Sequence, residues 1–304
     1  MHKLFHNSVY FLQFFPTMTK NLGVLFVASE ADPFIRTGSL ADLAGNIPKT
    51  IKNSGHDVRV VLPGYSCING RRFQIHNLLR MKDIGVPVAG TTELAQVRSS
   101  YLNGETQKVL VYFLANDRYF NREGLYAHPE TKKYFADNDE RFIFFCRGVL
   151  EILKKLRWQP EVIHCNDWQT GLIPAYLKTI YKNDPFFRNV KTVFTVYNLA
   201  SHGTFPKSAY EKSGLPLELF PQDSASAGRL NFLKAGLACA DVVTTLGARA
   251  EKGIRHSNQN DMEQLFQDRK NSIITLNTDY TRGNGLEILA HQFMDIYATL
   301  VKNG

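Results

Sequence analysis

A positively charged side chain, Arg36, stands two residues ahead of Gly38 and Ser39, where two sequence patterns meet. Before it, Val24, Leu25, Phe26, Val27 and Ala28 form an unbroken apolar run, as in a strand buried on both faces of a parallel sheet. After it, Leu40, Leu43, Ala44, Ile47 and Ile51 repeat at helical spacing. Gly38 is expected to free the backbone just before Ser39, read as an N-cap, with Asp42 completing an approximate capping box. Free N–H groups and the helix dipole make such an end a seat for phosphate, and Arg36 adds a fixed charge beside it. An ordinary strand-to-helix turn with a solvated arginine has the same pattern, since neither GxGxxG nor Walker spacing is present. A second constellation, Asn166, Asp167 and Trp168, follows directly on the short apolar stretch 161–165. It puts hydrogen-bonding and stacking side chains where another helix N-terminus points.

Both constellations need a framework of alternating strands and helices to hold them. The runs 24–28, 57–62, 109–114, 161–165, 192–197 and 241–246 read as strands, and 39–54, 139–157, 168–181 and 229–239 as helices. Gly55 is a natural stop for the first helix, and Pro48 is expected to kink it. Short alternating pieces at 84–88 and 94–97 suggest small strands or hairpins. This alternation predicts an α/β fold on a single doubly wound parallel sheet. Ligands of such sheets lie beyond the carboxyl ends of the strands, where Glu30, Asp117, Asn166, Asp167, Tyr197 and Asn198 stand.

Composition narrows the class. With 304 residues, 44% of them apolar, the chain can bury a large core and is not a disordered sequence. The net charge of +8 suits an anionic partner, but Lys and Arg are scattered, without zinc-finger spacing or a basic-aromatic repeat. A phosphorylated small molecule or plain solubility is therefore preferred, and no nucleic acid is expected. Cys67, Cys146, Cys165 and Cys239 lie far apart with no CxxC pair and read as reduced thiols of a cytoplasmic protein. No run approaches the roughly 20 apolar residues of a spanning helix, so no membrane partner is expected. Neither a metal nor a cofactor is expected.

Four segments follow. Residues 1–17 are broken by His6, Asn7, Gln13 and Pro16 and make a poor signal peptide; with Met18 next, they read as a disordered or mis-called extension. Residues 18–255 form the main domain, and 256–283, polar with one short apolar run, read as a surface connector. Residues 284–304 carry Leu286, Leu289, Phe293, Ile296, Tyr297, Leu300 and Val301 on one helical face. That face is expected to pack on its own domain, a partner subunit being the other way to cover it.

The blocks VLFVASEADPFIRTGSLADLAG, GHDVRVVLPGY, NREGLYAHPE, ADNDERFIFFCRGVLE, VIHCNDWQTGLIPAYL, TVYNLASHGTFP and RLNFLKAGLACADVVTTL occur in this order over residues 22–255. Together they resemble the bacterial glycogen and plant starch synthases, retaining glucosyltransferases that extend α-1,4-glucan from ADP-glucose. The resemblance implies that the main domain is the Rossmann-like N-terminal half of a two-domain GT-B glycosyltransferase, with the last helix packed on it. It implies that Arg36 stands where the family has a lysine contacting the donor phosphates, with Gly38 and Ser39 beside the pyrophosphate. It further implies that Asp137, Asn138, His164, Asn166, Asp167, Trp168, Tyr197 and Asn198 surround the glucose and glucan side. No catalytic residue is assigned; Asp137 and Asn166 are the candidates.

The departures from the family fall on the same positions. A lysine has become Arg36, a glycine Ser39, the second histidine of HxHDW Asn166, and the histidine of the HNL block Tyr197. After Leu246 no segment resembles GxxSRLxxQKG or EPCGL, so the chain looks like a synthase truncated of its second domain. Three readings follow. One is glucose transfer from ADP-glucose to α-1,4-glucan, weak or absent in the chain alone and completed by a homo-oligomer or a complementing synthase chain. Another is a non-catalytic glucan- or sugar-nucleotide-binding, regulatory module, and a third a decayed fragment.

Overall fold

The opening apolar run becomes the centre of the molecule. In the computed structural model, which describes residues 21–197, 203–219, 228–246, 265, 268–269, 273–276 and 279–302, it forms β1 (Gly23–Val27), buried at every position. Burial on both faces follows from its neighbours, because helices cover each side of a parallel sheet. The other strands are β2 (Asp57–Pro63), β3 (His76–Asn77), β4 (Ile84–Val88), β5 (Thr91–Asn103), β6 (Lys108–Ala115), β7 (Val162–Asn166), β8 (Lys191–Val196), β9 (Thr204–Phe205), β10 (Leu230–Asn231), β11 (Val242–Leu246) and β12 (Ile273–Leu276). The helices are α1 (Ser39–Asn53), α2 (Asp117–Phe120), α3 (Asn138–Leu156), α4 (Leu172–Lys178), α5 (Ser208–Ser213), α6 (Phe232–Cys239) and α7 (Gly285–Lys302).

A 10-stranded sheet runs in the order β12-β11-β8-β7-β1-β2-β6-β5-β3, with β4 paired to β5. From β12 to β6 all neighbours are parallel; β5 turns antiparallel to β6, and β3 and β4 pair antiparallel with β5. The doubly wound parallel sheet is thus present, with the short alternating pieces forming an antiparallel margin at one edge. β9 and β10 make a separate two-stranded pair.

Several local expectations need correction. Ser39 does not cap α1: it is the first helical residue, and the cap position belongs to Gly38, with no side-chain bond. Gly38 has φ −159°, extended backbone open to any residue, so its conformation does not require glycine. The helix expected from Trp168 starts later, at Leu172, after a 3-10 turn over Trp168–Thr170. Pro174 lies in the first turn of α4, where its missing N–H costs nothing. α6 likewise begins only at Phe232, because the Asn231 side chain accepts from Lys234 N and ends the preceding β10. The segment 256–283, read as a connector, contains β12, which extends the sheet in parallel with β11. Its run of Ile273, Ile274, Thr275 and Leu276 is the short apolar stretch noted above, and β-branched residues favour a strand. The extension 1–17 lies outside the described residues.

α7 packs on its own domain, against α1 and β8. Gly285, Leu289, Ala290, Phe293, Ile296 and Tyr297 are its buried residues. Beneath it the His164 ring meets Phe26 at 4.6 Å and Phe293 at 4.7 Å between centroids. Among the described residues no helix is long and apolar enough to cross a membrane.

Candidate functional site

The chain leaves β1 towards β2 and β6 on one side and returns to β7 and β8 on the other, so the strand order reverses between β1 and β7. A crevice at the carboxyl ends of that pair is where doubly wound sheets take their ligands. At that end Asn166 ties β7 to β1: Nδ2 donates to Val27 O of β1 at 2.9 Å and to His164 O at 3.1 Å. Its Oδ1 accepts from the Tyr197 hydroxyl at 2.7 Å. Two of the four side chains that depart from the resembled family therefore bond to each other. With both amide donors used and no titratable proton, Asn166 is a structural bridge rather than a proton carrier.

Asp167 follows on the same edge. Its backbone sits at φ 60°, ψ 176°, a region that non-glycine residues rarely adopt and that concentrates at functional sites. Its Oδ1 accepts from Trp168 N at 2.9 Å. Burial pushes its carboxyl up to about 7, a direction reinforced by the nearby Glu30 carboxylate and opposed by the Trp168 N–H.

The loop from β1 to α1 forms the next part of the edge. Glu30, which the strand-end argument placed beside ligand, turns inward and is almost fully buried. It accepts from Thr37 N at 2.6 Å and from Thr37 Oγ1 at 2.7 and 2.8 Å. The Tyr126 hydroxyl lies 3.0 Å from Glu30 Oε1 and 2.7 Å from Ser29 Oγ. Ala31 and Ile35 pair across the loop, and Phe34 packs edge-on against Phe73 and Phe113 at 5.1 and 5.0 Å. Arg36 emerges beyond these anchors, 62% exposed, in a forked pair with Asp42 at 3.0 Å for both Nε and Nη2. A Cβ on Gly38 would meet nothing within 4 Å, so the approach to the α1 N-terminus is open.

Gly45 keeps this loop down on α1, since a Cβ there would lie 2.3 Å from Asp32 O. Gly45→Ala is expected to destabilise the fold by about 3 kcal/mol, as backbone cannot rotate aside like a side chain. Urea denaturation of the two proteins measures it.

The remaining sequence candidates divide. Asp137 precedes α3 at the same edge, where Arg122 Nη1 and Nη2 hold its carboxylate at 2.8 and 2.9 Å. Asn138, by contrast, is buried, donating to Tyr126 O at 2.8 Å and accepting from Arg141 Nη1 at 2.6 Å. His164 is fully buried, with Nδ1 2.6 Å from Tyr297 OH and Nε2 2.6 Å from Thr195 Oγ1. Burial lowers its pKa to about 3. Trp168 is 4% exposed and packs on Phe142, Phe205, Phe232 and Tyr126. These three are corrections to the sugar-facing set: their polar atoms or rings are committed to the interior. Asn198 lies outside the described residues. Sequence reasoning assigned no role to Tyr126 or Arg122, although both lie in the block NREGLYAHPE. Among the described residues no cluster of His, Cys, Asp or Glu could hold a metal ion.

With this geometry in place, comparison with known proteins settles the lineage. Residues 23–268 match the starch synthase catalytic domain family. The chain belongs to that family. The glycogen synthase of Chlorobium luteolum is 39% identical over 226 residues, covering 74% of this chain and 46% of that protein. The glycogen synthase of Desulforudis audaxviator is 43% identical over 236 residues, covering 74% and 44%. The chain thus spans about half the length of the curated synthases it matches. Among solved structures, the catalytic domain of Starch Synthase IV from Arabidopsis thaliana, bound to ADP and acarbose, superposes with a TM-score of 0.74. That match covers 86% of this chain and 53% of the other at 23% identity, and shows that this starch synthase family member shares its fold.

Proposed function

We propose that this chain supplies the donor-facing half of a glucosyl transfer from ADP-glucose to the non-reducing end of an α-1,4-glucan. The observation that supports the reading is the meeting, at one sheet edge, of the open α1 N-terminus, Arg36 and the switch in strand order between β1 and β7. Phosphates sit at such helix ends, and the Arg36 fork leaves further N–H donors for them after pairing with Asp42. Asp137, Asp167 and Tyr197 stand along the same edge for the sugar. The Arabidopsis relative holds ADP and acarbose, and its two ligand classes, a nucleotide and an oligosaccharide mimic, are those assigned here. The relatives are synthases, which favours transfer over a purely regulatory module. The substrate is ADP-glucose, no cofactor takes part, and the protein works in the cytoplasm.

Transfer also needs cations facing the phosphates from across the cleft, and each such preorganised group is typically worth about 100 to 1,000-fold in rate. A full-length synthase mixed with this chain would supply such cations in trans. The test is transfer of labelled glucose from ADP-glucose to glycogen by the purified chain, alone and mixed with a full-length synthase, alongside calorimetric binding of ADP. Arg36→Ala is expected to weaken ADP binding by about tenfold, the worth of a charge-assisted contact. Absence of transfer under both conditions, together with no binding of ADP or glycogen at millimolar concentration, would overturn the reading.

A further inference from the structure

Glu30 is a buried carboxylate with no cation within ion-pair distance among the described residues, an expensive arrangement unless hydrogen bonds compensate it. Its compensation comes from Thr37, through both the backbone N–H and the hydroxyl, and from the Tyr126 hydroxyl at 3.0 Å. Thr37 lies between Arg36 and Gly38, at the entry to α1. Apart from the exposed pair between the Arg36 guanidinium and Asp42, the other anchors of this loop end at Ile35: the Ala31–Ile35 pair and the packing of Phe34. Between Ile35 and Gly38 the Thr37 N–H to Glu30 bond is the only one donated by the backbone among the described residues. Tyr126, from the segment before α3, touches the same carboxylate and limits how it can rotate.

We propose that Glu30 is the positioning residue of the donor seat, fixing the Arg36–Thr37 peptide so that the guanidinium faces the same phosphate group as the first amides of α1. Glu30 touches no ligand in this arrangement. It acts through Thr37 on the placement of Arg36, and the inference rests on the donor-seat reading above.

The prediction is that Glu30→Gln and Thr37→Val each bind ADP about fivefold more weakly than the unaltered chain, by calorimetry, while circular dichroism stays unchanged. Thr37→Val replaces the hydroxyl with a methyl group, leaves the backbone N–H in place and carries the test if Glu30→Gln does not fold. A double-mutant cycle separates positioning from general loosening. On an Arg36→Ala background, Glu30→Gln and Thr37→Val should cost less than about twofold more, because the group they position is gone. Unchanged ADP affinity in both single variants, or a loss repeated in full on the Arg36→Ala background, overturns the inference while leaving the donor seat intact. Failure of the unaltered chain to bind ADP overturns the donor seat first and this role with it.

Discussion

Trp168→Ala is expected to remove about 3–5 kcal/mol of folding stability, the usual cost of deleting a core aromatic. The ring stands edge-on to Phe142 at 5.0 Å, with Phe205, Phe232 and Tyr126 at 5.9, 6.2 and 6.4 Å. From above, Gly203 lies so close that a Cβ would come within 2.2 Å of Trp168 Cε3, and its φ of +57° already disfavours any side chain. Phe205 and Phe232 belong to β9 and α6, so the indole joins the two-stranded pair to the body of the domain. Losing it opens a cavity that three separate elements must relax to fill. Urea denaturation gives the shift, and Trp168→Phe should recover part of it. A platform for glucan would behave in the opposite way, with stability kept and glucan affinity lost; that outcome would return Trp168 to the binding surface.

A second large effect comes from two buried groups whose proton linkages oppose each other. His164 titrates near 6.5 when unfolded and near 3 when folded, because burial penalises its charge. The unfolded chain therefore takes up the extra proton, and stability present above pH 6.5 is lost as pH falls towards 3. Asp167 runs the other way, from an ordinary 3.8 to about 7 in the fold, so its contribution is full below pH 3.8 and lost as pH rises through 7. Each slope is about 1.4 kcal/mol per pH unit. Between pH 4 and 6.5 they cancel. Asp167→Asn should unmask the histidine, so that stability falls on acidification from pH 6.5. His164→Gln should unmask the aspartate, so that stability falls as pH rises from 4 to 7. Denaturation midpoints at several pH values check both, and the same pH profile in all three proteins would contradict these buried charges.

The strands and their alternation with helices were legible because buried parallel strands carry unbroken apolar runs, as at Val24 to Val27. The entry to α1 was legible for the same reason, since a strand, a loop and a helix start in succession define it. Side-chain direction was not. His164 and Asn166 share a face of β7, and which way that face looks is decided by Tyr297, 133 residues further on. Nothing local to HCNDW reveals that a helix from the far end of the chain covers the histidine. Glu30 shows the same limit: a polar residue at a strand end looks like a ligand contact until Thr37 and Tyr126 are seen to claim both oxygens. Asn138 and Trp168 were misread alike, as polar or aromatic groups beside the edge whose partners lie behind it.

The pinning of the loop between β1 and α1 also bears on how fast a nucleotide can be captured. A segment tied at Ala31, Phe34, Ile35 and Thr37 has little disorder left to surrender, so encounter need not wait for it to organise. On the donor-seat proposal, capture of ADP is expected in one kinetic phase, at a rate governed by diffusion and by the salt-screened pull of Arg36, with differences in affinity residing in how slowly the nucleotide leaves.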